Sequence, residues 1–183
     1  MKVAISVGHY PQRQGNQIDW SNKRGKITEY SEGLLVAGHL MNMLVNRGIH
    51  TIPVPTGTLT EKIKFINKKR PNYAFEIHFN GFDRGYSGRV QGSECIAFTE
   101  SREGVPLARL ITKSISDRLG NRNRGVIESK RHAFVRDTLY SWAVIIEPFF
   151  MYREMMFFED PAIHQKIAFA VLRGFVSHLN SQR

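Results

Sequence analysis

Tyr73-Ala74-Phe75-Glu76-Ile77-His78-Phe79-Asn80 is the stretch on which the organisation of this chain turns. Its apolar and aromatic content, bounded by Arg70-Pro71-Asn72 and by Gly81, reads as a short buried strand. At its far end stand a histidine and an asparagine, polar groups where such a strand meets solvent. In open α/β sheets, ligands bind beyond the carboxyl ends of the strands. His78 is therefore placed as a site residue.

Working outward towards the N-terminus, Lys2 to Val7 reads as a strand that stops at Gly8-His9, and a polar loop is expected from Tyr10 to about Lys26. Thr28 can cap a helix beginning at Glu29, with Leu34, Ala37, Met41, Leu44 and Val45 at helical spacing and Arg47-Gly48 closing it. Residues 49–54 read as a second strand, ended by Pro53 and Pro55. Thr58 and Glu61 have capping-box spacing for a helix over 59–69.

Towards the C-terminus, a Gly-rich loop runs to Gly92, followed by a strand over 93–98 and a helix over 105–119 that ends at Gly120-Asn121. Val126-Ile127 and Ala133-Phe134-Val135 read as short extended pieces. An apolar strand over 142–146 ends in Glu147-Pro148. Asp160-Pro161 reads as the cap and first turn of a last helix that buries Ile163, Ile167, Val171, Phe175 and Leu179. This alternation predicts an α/β fold: one twisted, mostly parallel sheet with helices on both faces. With no repeat, linker or low-complexity tract, residues 1–183 are expected to form a single domain.

The composition, 42% hydrophobic and 23% charged over 183 residues, is that of a globular chain able to bury a core without staples. The lone Cys95 cannot form an internal disulfide and sits in an apolar run, as a buried structural thiol does. The start of the chain offers no signal-peptide core, and no apolar run reaches the ~20 residues of a membrane span. Synthesis in the cytoplasm, with export assisted by another factor, is the expectation. Lys and Arg number 26 against 16 acidic residues, a net charge of +10 that favours a polyanionic partner. The basic residues are dispersed and lack a zinc-finger or aromatic RNA-binding signature.

Three apolar strands end in a ligand or acid–base candidate: His9, His78 and Glu147. Glu29 begins the helix after the first strand, on the same edge. Two histidines, a carboxylate and an open position make a common catalytic zinc site, and a second carboxylate can serve as acid–base partner. Each residue also has an ordinary explanation. A histidine after a strand can be a hydrogen-bonded loop residue, and Glu29 can simply favour the positive end of a helix dipole. Glu147 resists that treatment, because a carboxylate in apolar company is costly unless it is paired or bound to a metal. Glu76 is given no role. His39, His164 and His178 read as structural or exposed, and the loop of His132 could reach the cleft.

The pattern resembles the zinc-dependent N-acetylmuramoyl-L-alanine amidases of bacteria and phages. The resemblance rests on Ile5-Ser6-Val7-Gly8-His9, on Gly25, Glu29 and Ala37, and on Ile77-His78-Phe79-Asn80. Asn123-Arg124-Gly125-Val126, Val135-Arg136 and Ile145-Ile146-Glu147-Pro148-Phe149-Phe150 continue it in order through nearly the whole chain. Tyr10-Pro11 after the first histidine, where the family often has Gly-Gly, and Pro148 after the glutamate depart from it. These departures bear on the substrate groove more than on the metal.

The resemblance implies zinc bound by His9, Glu29 and His78, with Glu147 as general acid/base. Glu32, one turn after Glu29, is the rival third ligand, and the spacing to Ala37 favours Glu29. It implies hydrolysis of the amide between N-acetylmuramic acid and L-alanine in peptidoglycan by a compact, phage-lysin-like monomer. Anionic envelope polymers are further partners that the positive charge would attract, with no specific nucleic acid. The roles of Asn80, His132 and Arg136 stay open. Two other classes compete: another zinc peptidase acting on wall stem peptides, and a non-enzymatic basic nucleic-acid binder.

Overall fold

The computed structural model describes residues 1–20, 25–81 and 90–182. Its centre is a six-stranded sheet in the order β4-β1-β5-β8-β6-β7. The strands are β1 (Lys2–Val7), β4 (His50–Pro53), β5 (Tyr73–Ile77), β6 (Ser93–Ala97), β7 (Asn123–Glu128) and β8 (Trp142–Glu147). β4, β1, β5 and β8 run parallel, and β6 turns antiparallel to β8 with β7 parallel to it. All five residues of β5 are buried, as a central strand covered on both faces requires.

One face carries α1 (Glu29–Val45), α3 (Gly104–Leu119) and α5 (Ile163–Ser181), which pack on Phe75, Ile77, Val144 and Ile146. The other carries α2 (Leu59–Lys69) and α4 (Ala133–Asp137) over Ala4, Ala74, Ile96 and Ile145. Phe79, Phe149 and Phe158 meet at ring separations of 5.1 to 5.7 Å in the helix-rich core. Truncating such a buried ring typically costs about 3–5 kcal/mol. Among the described residues, no helix is long and apolar enough to cross a membrane.

Both expected caps form: Thr28 with Ser31, and Thr58 with Glu61, make capping boxes. Four local expectations are corrected. The polar segment from Tyr10 to Lys26 holds a hairpin, β2 (Gln17–Trp20) with β3 (Gly25–Thr28), in which Ile18 and Ile27 pair and are buried. Ala133-Phe134-Val135 is helical rather than extended. Both edges of β8 are already occupied by β5 and β6, so this segment lies over the sheet and satisfies its backbone internally, Arg136 N–H donating to His132 O at 3.0 Å.

The last helix starts at Ile163 instead of at Pro161. A short 3₁₀ helix (Met155–Glu159) precedes it, and the Asp160 carboxylate accepts from Ala162 N–H at 2.9 Å in the turn between the two. On α1, Leu34 and Val45 face outward while Val36 and Leu40 are buried. That helix is apolar nearly all round, and the inward turn of Glu29 and Glu32 sets its rotation. The Gly-rich loop expected before Gly92 lies largely outside the described residues.

Candidate metal centre

The ends of β1, β5 and β8 are level, because Val7, Ile77 and Ile146 are register partners across the three strands. The ladder continues one step further: Gly8 N–H donates to Ile77 O at 2.7 Å, and His78 N–H to Ile146 O at 2.9 Å. His9, His78 and Glu147 thus leave one sheet edge side by side. His9 then turns back with φ 64°, a left-handed conformation uncommon for a side-chain-bearing residue and frequent at functional sites. Two glycines make room here. A Cβ on Gly8 would stand 2.3 Å from the His78 ring, and one on Gly15, at φ 73°, would stand 2.4 Å from His9 Cδ2 and 2.5 Å from Glu29 Oε2.

Glu29 is the first residue of α1 and is 2% exposed. Its Oε2 lies 3.1 Å from His9 Nε2, and its Oε1 lies 2.9 Å from His78 Nδ1. Asn16 fixes this carboxylate from below, donating its N–H at 3.1 Å and its side-chain amide at 2.8 Å to Oε2. Phe79 N–H donates to Oε1 at 3.1 Å. One ligand atom from each of His9, Glu29 and His78 lies within 4.8 Å of the others, so the three could hold a metal ion.

Burial opposes the charged form of each group, but the pairing prevails. Hydrogen bonds and charge from His78 and His9 hold Glu29 far below the usual carboxylate range. Glu29 and Glu76 hold His78 up to about 10, despite its burial. Nitrogen, oxygen and nitrogen donors in this proximity, with the carboxylate oriented by backbone and amide donors, suit a divalent ion of zinc's ligand preference.

Glu32 is not in the centre. It is buried between α1 and α5, with Oε2 2.7 Å from His164 Nε2. Glu147 is half-buried at the end of β8. Burial pushes its carboxyl up to about 7, Glu94 and Glu29 add to this, and His78 and a hydrogen bond from Asn80 oppose it. Asn80 also donates to Glu94 Oε1. Glu94 is register partner to Glu147 and pairs with Arg124 at 2.5 Å, and that guanidinium lies 5.1 Å over the Phe150 ring.

A cleft of about 470 Å³ opens beside the histidines, lined by His9, Tyr10, Arg13, Thr58, His132 and Phe134 among others. His132 therefore does reach it, held by Ser129 Oγ 2.8 Å from its Nδ1. Arg136 does not, pairing with neighbouring Asp137 in an exposed bridge. Cys95 is buried, and burial pushes its thiol up to about 12, far from a nucleophile.

Asn16 and Glu94 do not stand out in the sequence, and Glu76, given no role there, faces His78 and Lys62. Asn16 lies in a polar run without distinguishing neighbours, and the inward glutamates of β5 and β6 interrupt apolar strands, which is the one signal they carry.

Known proteins share this fold. A comparison with curated proteins finds no match. Among solved structures, the chain is similar to the amidase AmiC2 of Nostoc punctiforme, with TM-score 0.84 and 18% identity over 100% of this chain and 98% of that one. It is similar to the CwlD amidase of Clostridioides difficile, solved with the GerS lipoprotein, with TM-score 0.82 and 17% identity over 98% of each chain. The catalytic domain of an endolysin targeting Clostridia difficile matches with TM-score 0.75 and 23% identity over 97% of each. At such identities these likenesses speak for the fold. The family model for N-acetylmuramoyl-L-alanine amidase matches residues 3–177, nearly the whole chain. The chain belongs to the N-acetylmuramoyl-L-alanine amidase family.

Proposed function

We propose that zinc held by His9, Glu29 and His78, with Glu147 as general acid/base, carries the activity of this chain. The activity is hydrolysis of the amide that joins N-acetylmuramic acid to L-alanine in peptidoglycan. The observation that supports the site assignment is the approach of one donor atom from each of the three residues to within 4.8 Å, at the edge where Glu147 also ends. When bound, zinc supplies Lewis acidity for the scissile carbonyl and lowers the pKa of a water towards neutrality.

The chain's own residues do the rest. Glu147 in its ionised form takes a proton from the attacking water and delivers it to the departing L-alanine nitrogen. A carboxyl poised near 7 suits that exchange, because acceptor and donor forms are both accessible at neutral pH. The Asn80 amide, bridging Glu147 and Glu94, orients the group. The cleft between the His9 turn, α2 and α4 receives substrate alongside the histidines.

In this reading residues 1–183 are one catalytic domain that works as a monomer on the cell wall, reached after release or assisted export. The net charge of +10 draws it to anionic envelope polymers, and no specific nucleic acid is involved. Digestion of purified peptidoglycan with zinc-loaded protein tests the reading. New L-alanine amino groups without new reducing ends are expected. Release of a terminal stem-peptide amino acid would instead indicate a carboxypeptidase.

A further inference from the structure

On the α2 and α4 side of the sheet lies a buried ion pair that the reaction does not use. Lys62 of α2 is 4% exposed and Glu76 of β5 is 2% exposed, with Nζ 3.5 Å from Oε1. Two charges taken out of water lose hydration that their mutual attraction seldom restores, so such a pair is a weak source of stability. Its other contacts are more telling. Lys62 Nζ donates to the carbonyl of His9 at 2.8 Å and also to that of Val7. Glu76 accepts from Ser6 Oγ at 3.0 Å through Oε1, and its Oε2 lies 3.2 Å from His78 Nε2. The pair therefore touches both histidines of the centre, one through its backbone and the other through its ring.

Resting on the zinc reading above, we propose that Lys62 and Glu76 are positioning residues that set the metal affinity and ligand geometry of the centre. A ligating imidazole is neutral, with a lone pair on one nitrogen and a proton on the other. Nδ1 of His78 faces Glu29, its fellow ligand, and would be the atom given to the metal, so the remaining proton belongs on Nε2, donated to Glu76. The carboxylate thereby selects the tautomer, fixes the ring and strengthens Nδ1 as a donor. Lys62 acts on the other ligand. Its ammonium clamps the carbonyls on either side of Gly8, holding His9 at φ 64°, the conformation that aims the ring at Glu29.

The test measures zinc directly. The full chain is stripped of metal, and zinc affinity is measured by competition with a chromogenic chelator. The cobalt(II) absorption spectrum reports ligand geometry, and unfolding of the metal-free protein reports folding. Loss of a partner behind a metal ligand typically weakens binding 10–100-fold, and that loss is expected for Glu76→Gln and for Lys62→Met, each with an altered cobalt spectrum. Lys62→Arg, which keeps the donors, should stay close to wild type. The double variant Lys62→Met with Glu76→Gln removes both buried charges, so it should fold even where a single variant does not, and it should show the same loss. Folded variants with wild-type affinity and spectrum, differing only in stability, would overturn the proposal. A wild-type chain that takes up no zinc would overturn both the proposal and the zinc reading.

Discussion

His78 and Glu147 leave adjacent parallel strands at the same level, locked by the hydrogen bond from His78 N–H to Ile146 O at 2.9 Å. A ligand candidate and an acid–base candidate are thus neighbours by backbone register rather than by loop conformation. Glu147→Gln keeps the volume and the register and removes only the proton exchange. Zinc content should be unchanged, and kcat should fall by roughly 10²–10⁴-fold with little change in KM. Near-normal turnover would make Glu147 structural, and zinc loss would make it a ligand.

His9→Ala and His78→Ala should lose most of their zinc in metal analysis. Glu29→Ala should do the same, whereas Glu32→Ala should keep its zinc, because Glu32 pairs with His164 between α1 and α5. The Glu32 variant should instead lose stability, typically about 1–3 kcal/mol for stranding a buried partner. Zinc loss in Glu32→Ala with retention in Glu29→Ala would reassign the third ligand.

Gly15→Ala tests how tightly the centre is built. The new Cβ would meet His9 at 2.4 Å and Glu29 at 2.5 Å, well inside ordinary contact, and would sit at φ 73°. A left-handed conformation alone costs about 1–3 kcal/mol. Both the melting temperature and zinc affinity should drop, and an unchanged affinity would show that Gly15 does not bound the site.

The raised Glu147 carboxyl has a thermodynamic signature in the metal-free protein. Between about pH 4.5 and about 7 the folded state holds a proton that the unfolded chain has released. Folding stability from this group is therefore full below that window and falls as pH rises through it. The loss is at most about 3–4 kcal/mol, at about 1.4 kcal/mol per tenfold change in proton affinity. Urea unfolding at pH 5 and pH 8 should show Glu147→Gln gaining on wild type at the higher pH. A constant difference between the two proteins would contradict the shift.

Binding to intact wall material should weaken with salt if the +10 charge concentrates the enzyme there, since the Debye length shrinks from about 10 Å at 0.1 M to about 3 Å at 1 M. Pull-down with purified walls, with zinc content monitored, measures this. Binding indifferent to salt would point to an uncharged groove.

Much of this was legible in the sequence because the centre sits where strands stop. A buried strand that ends in His78 or Glu147 announces its edge, and parallel strands bring such edges together without help from local detail. Thr28 and Thr58 were equally plain, since a capping box is local chemistry. What stayed hidden depends on partners distant in sequence. Ile18 and Ile27 look isolated until the hairpin pairs them, and nothing local shows that β6 runs antiparallel to β8. The outward Leu34 and inward Val36 are indistinguishable by hydropathy, and only the burial of Glu29 and Glu32 selects the face.

The reversal of β6 has a consequence for how such an enzyme diversifies. Because β6 enters the sheet from the catalytic edge, the chain between β5 and β6 both departs from that edge and returns to it. Its two anchor points are clasped side chain to side chain, Asn80 donating to Glu94. Whatever is spliced between those anchors begins and ends at the sheet edge where His78 and Glu147 stand. His9, Glu29, His78 and Glu147 all lie outside the stretch between those anchors, so its length and sequence can change without displacing any of the four.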